Sequence, residues 1–265
     1  MKFSVLMSVY IKETPAYLDE CLASLGAQSL LPSEIIIVHD GVITDDLKNV
    51  IAKYSVTLPI KSVKLAENRG LAEALNEGLK HCTNELVARM DTDDVSLPHR
   101  FERQIKFMVA HPQIAVSSAW IEERDQWMDE ILFIKKLPSS HDDILRFSKR
   151  RNPISHPVSI FRKAAVVSVG AYPKIFPEDY ALWSLMLLKG HRFENIPETL
   201  LYMRTGSDFI DRRGLNFFKG EWSLLKYQRT IGFLNNYEFF INFLIRAVIR
   251  LPPAKVRAFF YKFAR

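Results

Sequence analysis

The chain has few cysteines and no long apolar run. Its 265 residues include only Cys21 and Cys82, too few for a disulfide framework or a metal-binding pair, which suits a reducing compartment. No uninterrupted apolar stretch reaches the roughly 18–20 residues that a membrane-spanning helix needs. The apolar segment 3–11 lacks a small-residue cleavage site and is followed at once by Lys12-Glu13. We therefore interpret it as a buried first strand rather than a signal peptide.

Acidic residues are absent after Glu238, although six basic residues follow it. These six account for the whole net charge of +6, so the rest of the chain is neutral. A nucleic-acid-binding protein more often carries its positive charge on the folded body, and we expect no nucleic-acid partner here. The G-x-G-x-x-G turn of a dinucleotide-binding dehydrogenase is also missing after the first predicted strand.

Apolar runs alternate with helical patterns over the first part of the chain. The predicted strands are Phe3–Val9, Glu34–Val38, Ile60–Leu65 and Leu86–Met90. Helices are predicted from Thr14-Pro15, over Thr44–Tyr54 and over Leu71–His81. This alternation predicts βαβ units and a mainly parallel α/β sheet.

The second part of the chain is less regular. A helix over Leu97–Ala110 and a strand over Ile114–Trp120 are predicted, followed by a polar region at 121–157. The remaining predicted elements are a strand at Val158–Phe161, a short helix at Lys163–Val169 and an apolar helix at Tyr180–Leu188.

The stretch Asp91-Thr92-Asp93-Asp94 follows the fourth predicted strand directly. Two carboxylates at this spacing can hold one hard divalent cation, and such a cation can hold a diphosphate. The alternative is a polar turn that caps a helix starting at Ser96-Leu97-Pro98. Asp40 follows the second strand and Asn68-Arg69-Gly70 the third, so all three groups are expected along one edge of the sheet, where α/β folds bind ligands.

Together these motifs resemble the family 2 glycosyltransferases, nucleotide-sugar-dependent enzymes of the GT-A fold, and among them the short bacterial members that build surface polysaccharides. The resemblance spans residues 3–213. It rests on five motifs, Phe3-Ser4-Val5-Leu6-Met7-Ser8-Val9-Tyr10, Ile35-Ile36-Ile37-Val38-His39-Asp40-Gly41, Asn68-Arg69-Gly70-Leu71, Met90-Asp91-Thr92-Asp93-Asp94 and Pro177-Glu178-Asp179-Tyr180.

The resemblance implies a nucleoside pocket lined by Ser8, Tyr10 and Asp40, with Asp40 accepting a hydrogen bond from the uracil ring of a UDP-sugar. Arg69 would lie beside the nucleotide. His156, in a proline-flanked loop, is a further candidate to contact the donor phosphate or the acceptor, and a plain structural role is the alternative.

The resemblance also implies the catalytic groups. Asp91 and Asp93 would form a DxD motif, in which Asp91 touches ribose or sugar and Asp93 binds Mn²⁺ or Mg²⁺ on the diphosphate. Asp179 matches the catalytic base, and Glu178 would orient it. One carboxylate base without a covalent intermediate implies inversion at the anomeric carbon, so an α-linked donor would give a β-linked product.

Two departures from the family pattern bear on the activity. Ser8 and Ile11 stand where the family often has Pro and Asn, so the first loop is not typical. The Gln-x-x-Arg-Trp signature of processive members is absent, which favours the addition of one sugar. The implied reaction is therefore transfer of one hexose to a lipid-linked or oligosaccharide acceptor in O-antigen, capsule or exopolysaccharide synthesis.

Two other functions stay open at this stage. Asp91-Thr92-Asp93-Asp94-Val95 also fits the motif of haloacid-dehalogenase-like phosphatases, in which Asp91 would attack phosphate and Asp93 would act as acid and base. That motif normally follows the first strand rather than the fourth. The other alternative is a catalytically inactive scaffold that binds nucleotide.

The predicted catalytic domain covers 1–205, and 206–265 is predicted to be a helical, basic, membrane-associating region. Arg204, Arg212 and Arg213 are candidates for a lid over the diphosphate, with surface charge as the alternative. In 239–251, Arg246 and Arg250 flank a predicted apolar stripe. Its members are Phe240, Phe243, Leu244, Ala247 and Leu251.

Residues 255–265 repeat this scheme of apolar and basic residues. Such segments are typical of helices that lie on anionic membranes, and packing on the domain or in a dimer is the alternative. The resemblance places the protein in the cytoplasm, peripherally on the inner face of the cytoplasmic membrane.

Overall fold

A computed structural model describes residues 1–206 and 214–252. Its centre is a nine-stranded sheet in the order β3-β2-β1-β4-β8-β6-β9-β5, with β7 paired to β6. The strands are β1 (Ser4–Val9), β2 (Glu34–His39), β3 (Ile60–Lys64), β4 (Leu86–Arg89), β5 (Val95–Ser96), β6 (Ile114–Arg124), β7 (Ile131–Lys135), β8 (Ile160–Arg162) and β9 (Arg192–Arg204). Strands β1 to β4 are mutually parallel, as are β6 and β9.

Helices cover both faces of the sheet. They are α1 (Pro15–Gly26), α2 (Asp45–Tyr54), α3 (Leu71–His81), α4 (Arg100–Ala110), α5 (His141–Ser148), α6 (Lys163–Ser168), α7 (Glu178–Leu188), α8 (Leu215–Thr230) and α9 (Asn236–Arg250). This architecture confirms the predicted α/β class with a mainly parallel sheet and helices near the C-terminus.

The continuous apolar character of β1 and β2 arises because both faces of these strands are buried. Val5 and Ile35 belong to the core on the α1 side, whereas Leu6 and Ile36 belong to the core on the α3 side. On the α3 side, a Cβ on Gly78 would lie 2.5 Å from Leu6 Cδ1. The absence of a side chain there lets α3 approach the sheet closely, which fixes the loop before α3 at the sheet edge.

Three elements differ from the prediction. Val95–Ser96 pairs with β9, so the helix predicted from Leu97 begins at Arg100 instead. The polar region 121–157 contains the end of β6, all of β7 and helix α5. Strand β9 was not predicted, although it lies beside β6 in the middle of the sheet.

The two C-terminal helices pack against the rest of the fold. Gln228 on α8 donates through Nε2 to Ser184 Oγ on α7 at 2.7 Å. On α9, Arg246 is buried and Arg250 Nε lies 2.8 Å from Glu221 Oε2. Both arginines therefore face α8 instead of flanking the predicted stripe. Phe240, Leu244 and Leu251 of that stripe are exposed, whereas Phe243 packs against the core.

Within residues 1–206 and 214–252, no helix combines the length and apolarity needed to cross a bilayer. The predicted amphipathic segment 255–265 lies outside the described residues. The division into regions 1–205 and 206–265 stays a prediction.

Candidate active site

A cleft of about 390 Å³ lies at the carboxyl edge of the parallel strands. It is lined by Ser8, Tyr10, Glu13, Asp40, Asn68, Gly70, Leu71, Arg89, Asp91, Thr92 and Asp93. These residues come from the ends of β1, β2, β3 and β4 and from the loops that follow them. The structure thus brings together the groups that the sequence predicted along one edge.

One end of the cleft is organised around Asp40. Its Oδ1 accepts from the Arg69 backbone N–H at 2.7 Å, and its Oδ2 accepts from the Gly70 N–H at 3.0 Å. Gly41 lies at φ +83°, where a Cβ would be 2.7 Å from the Asn68 nitrogen. The loops after β2 and β3 are therefore locked to each other. The Arg69 side chain is half exposed, 3.7 Å from Glu67.

Arg89, the last residue of β4, is a site residue that was not predicted from the sequence. Its side chain is fully buried at the floor of the cleft, and its Nη2 pairs with Asp91 Oδ1. Its Nη1 donates to the backbone carbonyls of Leu6 and Met90. An arginine that directly follows the apolar residues Leu86, Val87 and Ala88 is costly to bury unless it is paired. Its position in the sequence could therefore have indicated a buried, paired cation. Arg89 fixes the orientation of the first DxD carboxylate.

A third carboxylate, also overlooked, faces the DxD motif. Glu13 accepts from the Thr92 hydroxyl and lines the same cleft. Burial, together with the negative charges of Asp91 and Glu13, raises the pKa of Asp93 to about 7. Three carboxylates around one cleft repel each other, and a divalent cation would relieve that repulsion.

The donor set fits a hard divalent cation. Mg²⁺ in particular is usually bound through one or two carboxylates, and substrate phosphates and water complete its shell. Asp93 and Asp91 supply this number of protein ligands. Among the described residues, no group of three His, Cys, Asp or Glu side chains forms a closed metal cage.

Arg204 braces the DxD loop from the end of β9. Its Nε donates to the Asp93 carbonyl at 2.9 Å, and its backbone N–H donates to Asp94 Oδ1 at 2.9 Å. Its guanidinium also pairs with Glu20 and lies over the Tyr17 ring. Arg204 is thus buried and committed to these contacts rather than serving as a lid or a surface charge.

The other two lid candidates, Arg212 and Arg213, lie outside the described residues.

The acidic pair Glu178-Asp179 forms the first turn of α7. Asp179 is buried, and its Oδ2 accepts from Asn152 Nδ2 at 2.6 Å. Burial raises the pKa of Asp179, and the Asn152 hydrogen bond offsets part of that rise. Burial and the adjacent Asp179 raise the pKa of Glu178. The charge of Asp91 contributes to both upward pKa shifts, so this pair lies within electrostatic reach of the DxD motif.

His156 is buried and is not among the residues that line the cleft. Its Nε2 lies 3.1 Å from the Tyr172 hydroxyl, and its ring packs edge-on against Trp183. Burial, with a contribution from the charge of Arg89, lowers the pKa of His156 well below its usual value, so the ring is neutral. Its predicted contact with donor or acceptor stays a prediction, and its burial favours the structural alternative.

This fold and this edge site agree with a profile for one enzyme family. The profile, described as glycosyl transferase family 2, matches residues 4–183. The chain therefore belongs to glycosyl transferase family 2, which confirms the resemblance stated from the sequence. Membership in this family, together with the position of Asp91 after the fourth strand rather than the first, removes the phosphatase alternative.

Two curated relatives match nearly the whole chain. The amylovoran biosynthesis glycosyltransferase AmsE of Erwinia amylovora is 43% identical over 265 residues, 98% of each chain. The UDP-Gal:alpha-D-GlcNAc-diphosphoundecaprenol beta-1,3-galactosyltransferase of Escherichia coli is 37% identical over 263 residues, 98% of this chain and 95% of that protein.

Solved structures share the fold at low identity. S. aureus TarS 1–349, solved in complex with UDP-GlcNAc, has a TM-score of 0.68 at 21% identity over 93% of this chain and 72% of its own. The mannosyltransferase PcManGT of Pyrobaculum calidifontis, solved with GDP-Man and Mn²⁺, has a TM-score of 0.67 at 17% identity over 92% of this chain and 68% of its own. The likeness confirms the predicted GT-A fold.

Proposed function

We propose that this protein transfers one hexose from a UDP-sugar to a lipid-linked saccharide, with inversion, in the synthesis of a bacterial surface polysaccharide. The observation that carries the proposal is the cleft at the sheet edge, where the Asp91 and Asp93 carboxylates lie together with Asp40, whose carboxylate is held by backbone amides. The relative from E. coli, whose name gives UDP-Gal as donor and a diphosphoundecaprenol-linked sugar as acceptor, supports this choice of substrates.

The nucleoside end of the donor would occupy the pocket of Ser8, Tyr10 and Asp40. Each Asp40 oxygen already accepts one backbone N–H, from Arg69 or Gly70. A carboxylate oxygen has two lone pairs, so each retains one for the uracil N–H. Because Asp40 is held by backbone amides, its orientation is fixed before the nucleotide arrives.

The diphosphate would bind at the DxD end of the cleft. Asp93, with Asp91 beside it, would hold Mn²⁺ or Mg²⁺, which neutralises the charge of the departing UDP. Arg204 would keep the Asp93 backbone in place through its carbonyl contact. Arg89 would hold the Asp91 carboxylate for the ribose or the sugar.

Asp179 would accept the proton of the acceptor hydroxyl. Asn152 donates to Asp179 Oδ2, which would orient the carboxylate toward the acceptor. Its raised pKa makes it a stronger base than an exposed aspartate, although it must be ionised to act. Glu178 would help to set the orientation of this turn. The acceptor oxygen then attacks from the face opposite UDP, and the configuration at the anomeric carbon inverts.

A lipid-linked acceptor would require the enzyme to work at a membrane. We therefore propose peripheral association with the anionic cytoplasmic leaflet, involving the region 206–265.

Calorimetric titration of UDP into the purified protein tests the donor site. Metal-dependent binding by the wild type that Asp93→Ala abolishes is the expected result. Asp45→Ala, where the side chain is 90% exposed on α2, serves as the control and should bind as the wild type does. Absence of UDP binding with Mn²⁺ and with EDTA would remove the UDP-sugar proposal. UDP binding without transfer to any acceptor would favour the inactive scaffold instead.

A further inference from the structure

Helix α9 packs Phe239 and Phe243 inward against the core, and it also presents a second row of apolar side chains outward. Its inner face buries Asn242 and Arg246 and carries Arg250, which pairs with Glu221 on α8. Its outer face exposes six large apolar side chains, between 42% and 74% exposed. They are Tyr237, Phe240, Leu244, Ile245, Val248 and Leu251.

The outward position of this apolar row is not a consequence of poor packing. The capping box of Asn235 and Glu238 fixes the start of α9. Asn242 Nδ2 donates to the Lys149 carbonyl at 2.8 Å, and Arg246 Nη1 donates to the Glu221 carbonyl at 3.3 Å. Rotating α9 to hide its apolar face would break these bonds and expose the buried arginine. The outer face is thus held toward the surroundings.

An exposed apolar helix face of this size indicates an interaction site, because contiguous exposed apolar patches mark such sites. The sequence that follows α9 supplies the second feature. Residues 252–265 contain four basic residues and no acidic residue, which is complementary to anionic lipid headgroups. Phenylalanines lie among these basic residues, as in interfacial segments.

We infer that the outer face of α9, the six side chains named above, lies in the interface of a lipid bilayer and docks the enzyme there. The inference deepens the proposed function and rests on its lipid-linked acceptor. It replaces the predicted stripe, because Arg246 and Arg250 serve the interior and leave lipid contact to the apolar side chains.

The inner face explains why docking would help transfer. Asn242 bonds to Lys149, and the short segment from Lys149 leads to Asn152, the hydrogen-bond partner of Asp179. Arg246 lies 5.9 Å from the ring of Tyr180, the next residue after the base. An α-helix is about 10 Å across with its side chains. The segment 149–152 and the first turn of α7, which hold Asp179, therefore lie about one helix diameter from the outer face of α9. Docking of that face would bring Asp179 close to an acceptor sugar at the lipid headgroups.

Vesicle flotation of the full chain tests the inference. The probes are vesicles of phosphatidylethanolamine mixed with phosphatidylglycerol. The triple variant Phe240→Gln, Leu244→Gln and Val248→Gln should lower the bound fraction by at least about tenfold. Glutamine keeps a good helix propensity, so α9 should remain folded.

The matched control also removes three exposed apolar side chains, in Leu31→Gln, Val56→Gln and Val167→Gln. It should float as the wild type does. Equal flotation of the outer-face variant and the wild type overturns the inference. So does a lipid-free dimer that the outer-face variant converts to a monomer in sedimentation velocity, because a second copy would then cover the face.

A fluorophore gives a second readout. Both native cysteines are buried, so Val248→Cys can be labelled selectively with an environment-sensitive dye. Vesicles should shift its emission to the blue, and the same dye at Val56→Cys should not shift. An unshifted label at 248 overturns the inference.

UDP titration of the same variants separates this inference from the proposed function. Lost flotation with intact UDP binding is the expected pattern for the outer-face variant. A wild type that binds UDP but not vesicles would overturn the docking surface alone, whereas a wild type that does not bind UDP would remove the donor site whatever its lipid binding.

Discussion

Replacing Asp179 with asparagine should abolish transfer without weakening the fold. The substitution keeps the shape of the side chain, and its amide oxygen can still accept from Asn152. It removes the group that we propose takes the acceptor proton, and a general base contributes about 10²–10⁴-fold to the rate in enzymes that use one. UDP binding should change little, because Asp179 is not among the residues that line the donor cleft.

The stability of Asp179→Asn should equal or exceed that of the wild type at pH 7. Burial raises the folded-state pKa of Asp179 above its ordinary value of 3.8, so folding disfavours the charged form. An acid with a raised folded-state pKa contributes to the free energy of unfolding below its unfolded pKa, and this contribution is lost as the pH rises through the folded pKa. Asparagine has no charge to bury, so the variant's advantage should grow from about pH 4 upward.

Two assays follow from this reasoning, a transfer rate with labelled UDP-sugar and a melting curve at several pH values. Glu85→Gln is the control: the Glu85 side chain is exposed, its pair with Arg162 is screened by solvent, and the variant should leave the rate and the melting temperature near the wild-type values. If Asp179→Asn retains more than about a tenth of the rate, the base lies elsewhere. If the variant melts below the wild type at pH 7, the buried carboxylate stabilises the fold and the electrostatic argument is wrong.

Three further substitutions test the scaffold. Hydrogen bonds from Lys61 and others outweigh burial and lower the pKa of buried Glu34 to about 2, so Glu34→Gln should cost about 2 kcal/mol at pH 7 in chemical denaturation. That cost should shrink as the pH falls from about 4.5 to 2, and a pH-independent cost would contradict it. Gly41→Ala, at positive φ and close to Asn68, should destabilise by about 1–3 kcal/mol and weaken UDP binding in calorimetry. Arg204→Lys should weaken metal-dependent UDP binding in calorimetry and leave the melting temperature near the wild-type value. A lowered melting temperature with unchanged UDP binding would limit Arg204 to a structural role.

The first four strands and the edge site were predictable from the sequence for a physical reason. A strand buried on both faces leaves a continuous apolar run, and a polar residue directly after it must lie at the sheet edge. Asp40 and Asp91 were found in this way. Strand β9 was not predicted because Pro197 interrupts its apolar pattern, and a proline argues against a central strand. The structure accommodates it with a register shift, in which Ala119 pairs with Ile196 and Trp120 with Thr199.

The partners that hold the site were not predictable, because they come from distant parts of the chain. Arg204 contacts Asp93 across 111 residues, and Glu13 meets Thr92 across 79. A motif marks the residues that touch the substrate but carries no sign of the side chains that hold those residues in place. Asn152 is of the same kind, since nothing in its loop sequence marks it as the hydrogen-bond partner of Asp179.

Helix α9 shows why deletion of residues 239–265 tests two properties at once. The deletion should release the protein from membranes, because it removes the outer face of α9. It also removes Asn242 and Arg246, whose contacts support the segment before Asn152 and the α7 turn beside Asp179. We therefore expect the deletion to lower both the melting temperature and the transfer rate. The glutamine variant of the outer face should lose vesicle binding alone, and an equal loss of stability in that variant would mean that the outer face packs within the protein.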